Sequence, residues 1–155
     1  MDRIKLRKVK MSDAADLFRW RNDPETRKVN FQSAPVKYKG HLKWLASSLT
    51  SRDRLLFMAE DSNGEVIGHV RLDRLGKGIG EFGVLVVPEK RGRGYGPVLI
   101  KKALSMRRFP IYLARVKQDN PVSLKTFIRA GFVHVFDYES RGNGRISLLI
   151  YKGKL

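Results

Sequence analysis

The stretch VLVVPEKRGRGYGPVLIKKAL, residues 84 to 104, limits the fold more than any other part of the chain. A short apolar run ends at Pro88. A basic loop with three glycines follows, and Pro97 then leads into an amphipathic run. Glycine permits tight or left-handed backbone. A proline has no N–H to waste and suits a first helical turn. The text therefore reads as strand, tight loop and helix. Such a loop can be a plain surface turn, an RGG-like grip on nucleic acid, or a phosphate cradle. The strand before it and the helix behind it favour the cradle, because a helix N-terminus points free N–H groups and a partial positive charge at an anion. Arg91 and Arg93 add charge-assisted donors. The loop is not that of a nucleoside triphosphatase, since no Gly-Lys-Ser/Thr follows. Nor is it a dinucleotide fingerprint: Gly92 and Gly94 are spaced correctly, but Pro97 holds the third position.

The rest of the chain alternates between strand and helix periods. Residues 4–9 alternate apolar and basic, as a half-exposed strand does. Ser12 and Asp13 offer an N-cap for a helix carrying Ala14, Leu17, Phe18 and Arg21, and Pro24 stops it. Residues 37–49 read as a second helix with Leu42, Leu45, Ala46 and Leu49 as its stripe. Two strands joined by SNGE, a strand over 78–87, a helix from about Pro97 to Arg108, a strand over 111–117 and a helix over 120–131 follow. A hairpin across SRGNG closes the chain. The order β-α-α-β-β-β-α-β-α-β-β predicts a mixed sheet flanked by helices, an α/β or α+β class, in a single domain spanning 1–155.

The absence of cysteine excludes a disulfide framework and zinc-thiolate chemistry. His41, His69 and His134 lack metal-ligand spacing, so no metal is expected. The start has no signal-peptide core and no apolar run approaches ~18 residues, which predicts a cytoplasmic protein without membrane contact. Net charge is +17, from 32 Lys and Arg against 15 Asp and Glu. That excess calls for an anionic partner, either nucleic acid or a phosphate-rich small molecule.

Arg91, Gly94 and Gly96 form the pattern Arg-x-x-Gly-x-Gly, and Asn120 to Phe132, NPVSLKTFIRAGF, supplies a second segment downstream. Together, in this order, they resemble the GCN5-related N-acetyltransferase (GNAT) superfamily over nearly the whole chain. The resemblance implies a mostly antiparallel sheet of about seven strands with about four helices, and acetyl-CoA as co-substrate. It implies that backbone N–H groups of Arg91, Gly92, Arg93, Gly94, Tyr95 and Gly96 hold the pyrophosphate. Leu85, Val86 and Val87 would bond the pantetheine arm, Asn120 the pantetheine or adenosine side, and Lys125 the 3′-phosphate. A monomer or homodimer is expected.

Transfer to an amine needs a base that removes the ammonium proton. Glu81, ten residues before Arg91, stands where related enzymes carry a carboxylate; an ordinary paired glutamate is the competing reading. The family's tyrosine acid falls at position 127, and this chain has Phe127. Tyr138, Ser123 or a water could substitute, and a thiol of pKa about 8.5 leaves fairly well unaided.

The text FRWRNDPETRKVNFQSAPVKYKGHLKWL resembles the branch containing the nucleotide-sugar N-acetyltransferase of pseudaminic acid biosynthesis. By that resemblance Arg21 and His41 contact a nucleotide diphosphate, Asn30, Phe31 and Trp44 line a sugar pocket, and Arg71 assists. Two other readings stay open: acetylation of protein N-termini, ribosomal ones included, and a non-catalytic nucleic-acid binder on the same fold.

Overall fold

The computed structural model describes residues 3–153. Seven strands build one sheet in the order β1-β2-β3-β4-β5-β7-β6. They are β1 (Lys5–Lys8), β2 (Arg54–Glu60), β3 (Val66–Gly76), β4 (Ile79–Val86), β5 (Ile111–Lys117), β6 (Val133–Ser140) and β7 (Gly144–Lys152). All neighbours are antiparallel except β4 and β5. That parallel pair is joined only from Ile79 to Glu81, opposite Ile111 to Leu113. Beyond Glu81 the two strands part, and a wedge opens in the middle of the sheet.

The helices are α1 (Ala14–Asn22), α2 (Pro24–Val29), α3 (Tyr38–Thr50), α4 (Tyr95–Leu104) and α5 (Pro121–Arg129). Strand alternation sends Val70, Leu72 and Phe82 to one face, where they meet Leu99, Ile100, Ala103 and Phe127 of α4 and α5. Leu56, Met58 and Leu85 face the other way, against Leu17 and Trp20 of α1 and Leu45 of α3. The wedge is thus walled by two helical layers with separate cores.

Four local expectations change. Pro24 ends α1 but also begins α2 as its first residue, because Asp23 caps it by accepting from Thr26 N at 2.9 Å. The Asp13 carboxylate is not a side-chain cap for α1; it takes Arg7 at 2.8 and 2.9 Å and Lys10 N at 2.8 Å. On α3 the buried positions are His41, Leu45 and Ser48, rotated from the apolar stripe. Both polar members are satisfied there: His41 Nε2 donates to Ala14 O at 3.1 Å, and Ser48 Oγ accepts from Arg54 at 3.2 Å. Helix α4 begins at Tyr95 and ends at Leu104, earlier at both ends than the prolines and arginines suggest.

Candidate active site

The glycine loop turns sharply into α4. Gly92 and Gly94 both have left-handed backbone, with φ of +73° and +80°, and Gly94 is the N-cap of α4. Among the described residues, the N–H groups of Gly92, Arg93 and Gly94 donate to no backbone acceptor. The first N–H groups of α4, from Tyr95 and Gly96, have no partner within their own helix. Space beside Gly92 is open: a Cβ there meets nothing within 4 Å. Gly96 serves packing as well, since a Cβ would lie 2.7 Å from Thr126 Cγ2 of α5.

Two of the expected residues have partners within the chain. Arg91 N already donates, at a long 3.4 Å, to Pro88 O, and its guanidinium is bound to Asp23 and Thr26. Val87 spends its N–H on Ile67 O at 3.0 Å, and its C=O accepts from Lys90 N at 2.9 Å. The antiparallel register with β3 alternates, so Leu85 turns its polar groups to β3 and Val84 and Val86 turn theirs to the open wedge. Asn120 Oδ1 caps α5 by accepting from Ser123 N at 3.2 Å, which leaves its amide NH₂ for a ligand. Lys125 is exposed on α5.

Glu81 sits where β4 and β5 part and is 8% exposed. Its Oε1 accepts from Arg115 Nε at 2.5 Å, across 34 residues. Arg115 is the hub that the sequence did not reveal. The Glu81 hydrogen bond raises its pKa against the opposing effect of burial, and Tyr138 contributes a smaller upward shift. Its guanidinium also lies over the Phe31 ring, 5.3 Å from the centroid. One arginine therefore gathers Glu81, Tyr138 and Phe31. Ser123 stands apart in the first turn of α5 and makes no side-chain hydrogen bond to this group. Phe127 is core, 4% exposed and edge-on to Phe132 and Phe82.

A cavity of about 420 Å³ opens beside Glu81, lined by Ser48, Asp53, Arg54, Asp73 and Arg74 among others. Each of its carboxylates has an arginine. Asp73 takes Arg54 Nε at 2.6 Å and Arg71 Nε at 3.0 Å, Asp53 is 3.6 Å from Arg74, and Glu81 has Arg115. Arg71 lies flat on Gly83, where a Cβ would meet its guanidinium at 3.3 Å. Trp44 stacks on His41, 5.5 Å between centroids, with Arg54 5.8 Å from its ring.

Unlike these arginines, Arg21 has no carboxylate within ion-pair distance among the described residues. Its Nη2 donates to Gln32 O at 2.7 Å, but its Nη1 is buried and without a partner among the described residues. Burial, then the neighbouring Arg27, lower its pKa. Arg27 Nε holds Ser33 O at 2.9 Å, so two cations share the segment that carries Phe31. Asn30 ends α2 just before it. His41 is also lowered by burial, and its Nε2 is spent on Ala14 O; only the other ring nitrogen could meet a diphosphate.

His69, on β3 beside Arg71, has a buried Nδ1 without a partner. Burial first, then Arg71, push its pKa down to about 4. The folded pKa is below the ordinary 6.5, so the unfolded chain binds the extra proton first. Stability from the neutral ring is complete above pH 6.5 and is lost as pH falls towards 4. The expected loss is about 3 kcal/mol, and His69→Gln flattens the melting temperature between pH 7 and 4.5.

The family model described as an acetyltransferase (GNAT) domain matches residues 3–133. No curated protein sequence matches the chain. Among solved structures, a Vibrio cholerae spermidine N-acetyltransferase in complex with CoA and spermine superimposes with a TM-score of 0.86 at 18% identity, covering 96% of this chain and 95% of that one. A dodecameric structure of spermidine N-acetyltransferase from Vibrio cholerae gives 0.77 at 18% identity, covering 96% and 93%.

Proposed function

Because the chain belongs to the GNAT acetyltransferase domain family and is an acetyl-CoA-dependent N-acetyltransferase, we propose that its acceptor is an amine on an anionic, phosphate-bearing molecule, best matched by the 4-amino group of a UDP-linked amino-deoxy sugar. The observation that carries this is the charge balance of the acceptor face. Every carboxylate lining the cavity beside Glu81 is already matched by an arginine, while Arg21 keeps a buried, unpartnered Nη1 next to Arg27. A buried N–H donor without a partner is costly, and a phosphate oxygen would satisfy it. A polycation such as the spermine bound in the Vibrio cholerae relative would find no surplus negative charge here.

When bound, acetyl-CoA supplies the thioester carbonyl that a neutral amine attacks. The N–H groups of Gly92 to Gly96 hold its phosphates, and the backbone groups of Val84 and the N–H of Val86 accept the pantetheine arm. Glu81 takes the ammonium proton through the oxygen not bonded to Arg115. An amino-sugar amine, with a pKa nearer 8 than 10.4, asks little of that base. Tyr138, held beside Arg115, is the hydroxyl available to the departing thiolate. Phe31, under Arg115, forms a wall of the acceptor pocket.

The test is thiol release from acetyl-CoA with three amines: a UDP-4-amino-4,6-dideoxy sugar, spermidine, and a peptide with a free N-terminus. Turnover with the sugar is expected, and Arg21→Ala lowers its kcat/KM about 10- to 30-fold, mainly through KM. Turnover confined to spermidine would overturn the anionic acceptor; turnover confined to the peptide would move the function to protein N-terminal acetylation.

A further inference from the structure

Arg91 opens the glycine loop, yet its guanidinium is committed to α2. Nη1 donates to Asp23 Oδ2 at 3.0 Å, Nη2 to Thr26 Oγ1 at 2.7 Å, and Nε reaches Val86 O at 3.4 Å. The same Asp23 oxygen accepts from Thr26 N and Thr26 Oγ1, both at 2.9 Å, and so caps α2. Two pieces of chain that are distant in sequence meet at one side chain: the segment from the end of β4 into the glycine loop, and the start of α2. Helix α2 runs directly into Asn30 and Phe31, and Phe31 lies under Arg115 beside Glu81.

We propose that Arg91 is a positioning residue that couples the phosphate cradle to the acceptor wall, so that filling the cradle orders α2 and Phe31. The proposal rests on the cradle reading of the loop. Its physical basis is entropy. The Arg91 side chain is 35% exposed, and a partly exposed ion pair on a free loop is weak, because ordering two mobile groups offsets the attraction. An anion bound at the N–H groups of Gly92 to Gly96 fixes the backbone that carries Arg91. The guanidinium then meets Asp23 and Thr26 at little further entropic cost, and α2 gains what the loop no longer loses. The linkage is reciprocal: an acceptor that orders α2 tightens the cradle by the same factor.

The experiment is hydrogen exchange of the intact protein with and without coenzyme A, read at residues 24–31 and 92–98. Two variants are compared with the parent. Asp23→Asn keeps an oxygen to cap α2 but loses the ion pair. Arg91→Lys leaves α2 untouched and keeps the charge, but an ammonium lacks the fork that spans Asp23 and Thr26. Coenzyme A is expected to slow exchange at 24–31 about fivefold or more in the parent and less than about twofold in both variants, while 92–98 stays protected in all three. If Asp23→Asn frays α2 without ligand, Arg91→Lys decides. Equal protection of 24–31 in the parent and Arg91→Lys, or none in the parent, would overturn the coupling. Absence of protection at 92–98 would overturn the cradle reading and the coupling with it. No acceptor is used, so an error in the acceptor assignment leaves this readout unchanged.

Discussion

Valine at position 94 is expected to weaken coenzyme A binding about 100-fold while the sheet and its cores survive. Gly94 caps α4 with φ of +80°, a conformation that a β-branched residue adopts only under strain. Relief of that strain means rotation of the backbone to negative φ. Rotation redirects the N–H groups of Arg93 to Gly96 away from their common focus, and an anion held by several converging donors loses most of them together. The core residues of α4, Leu99, Ile100 and Ala103, lie a turn or more away and are fully buried, so the fold does not depend on the cap. The measurement is calorimetric titration with coenzyme A beside a melting curve. An unchanged dissociation constant would show that the cradle does not bind the pyrophosphate.

Gly68→Ala is expected to destabilise the protein by about 4 kcal/mol. A Cβ on Gly68 would stand 2.3 Å from the Leu85 carbonyl oxygen and 2.7 Å from Leu99 Cδ1. The first contact is backbone, so no rotamer change relieves it. The strain lies beyond the usual overpacking range of 1–3 kcal/mol because β3 and β4 must separate where Gly68 faces Val86. For a chain of 155 residues the melting temperature should fall by roughly 8–16 °C. Acetyl-CoA affinity should fall too, since Val84 and Val86 line the wedge on the displaced strand. A fall under about 3 °C would mean that the two strands do not approach so closely in solution.

Much of this architecture is written in local chemistry. The strand, loop and helix around the three glycines follow from backbone demands that only particular residues meet, and Gly92 and Gly94 adopt the positive φ that glycine permits. The seven strands follow from the alternation of strand and helix periods, and the sheet has that number; the wedge between β4 and β5 was seen only in the strand register. Pro24 shows the limit of local rules. The pair Asp23-Pro24 both ends one helix and starts another, and a stop signal does not say which residue comes next in space. The stripe on α3 was displaced for a related reason. Apolar periodicity cannot anticipate a histidine and a serine whose hydrogen bonds are supplied by Ala14 and Arg54 on other elements.

The arginines mark the division most clearly. With 32 cationic side chains, no pattern in the text distinguishes Arg115, which holds Glu81 and stands over Phe31, from Arg93 or Arg108. Arg91 was legible as a loop residue, but its engagement with Asp23, 68 positions away, was not. The sequence by itself determined the order of the strands and the glycine loop at a helix N-terminus, because these depend on neighbours in the chain; acetyl transfer entered through the family resemblance. Only the tertiary structure decided which carboxylates are neutralised, that Arg21 has a buried nitrogen without a partner, and which backbone groups of β4 face the wedge. Those are properties of strand register and of contacts between distant segments, where pairing is set by geometry rather than by residue type.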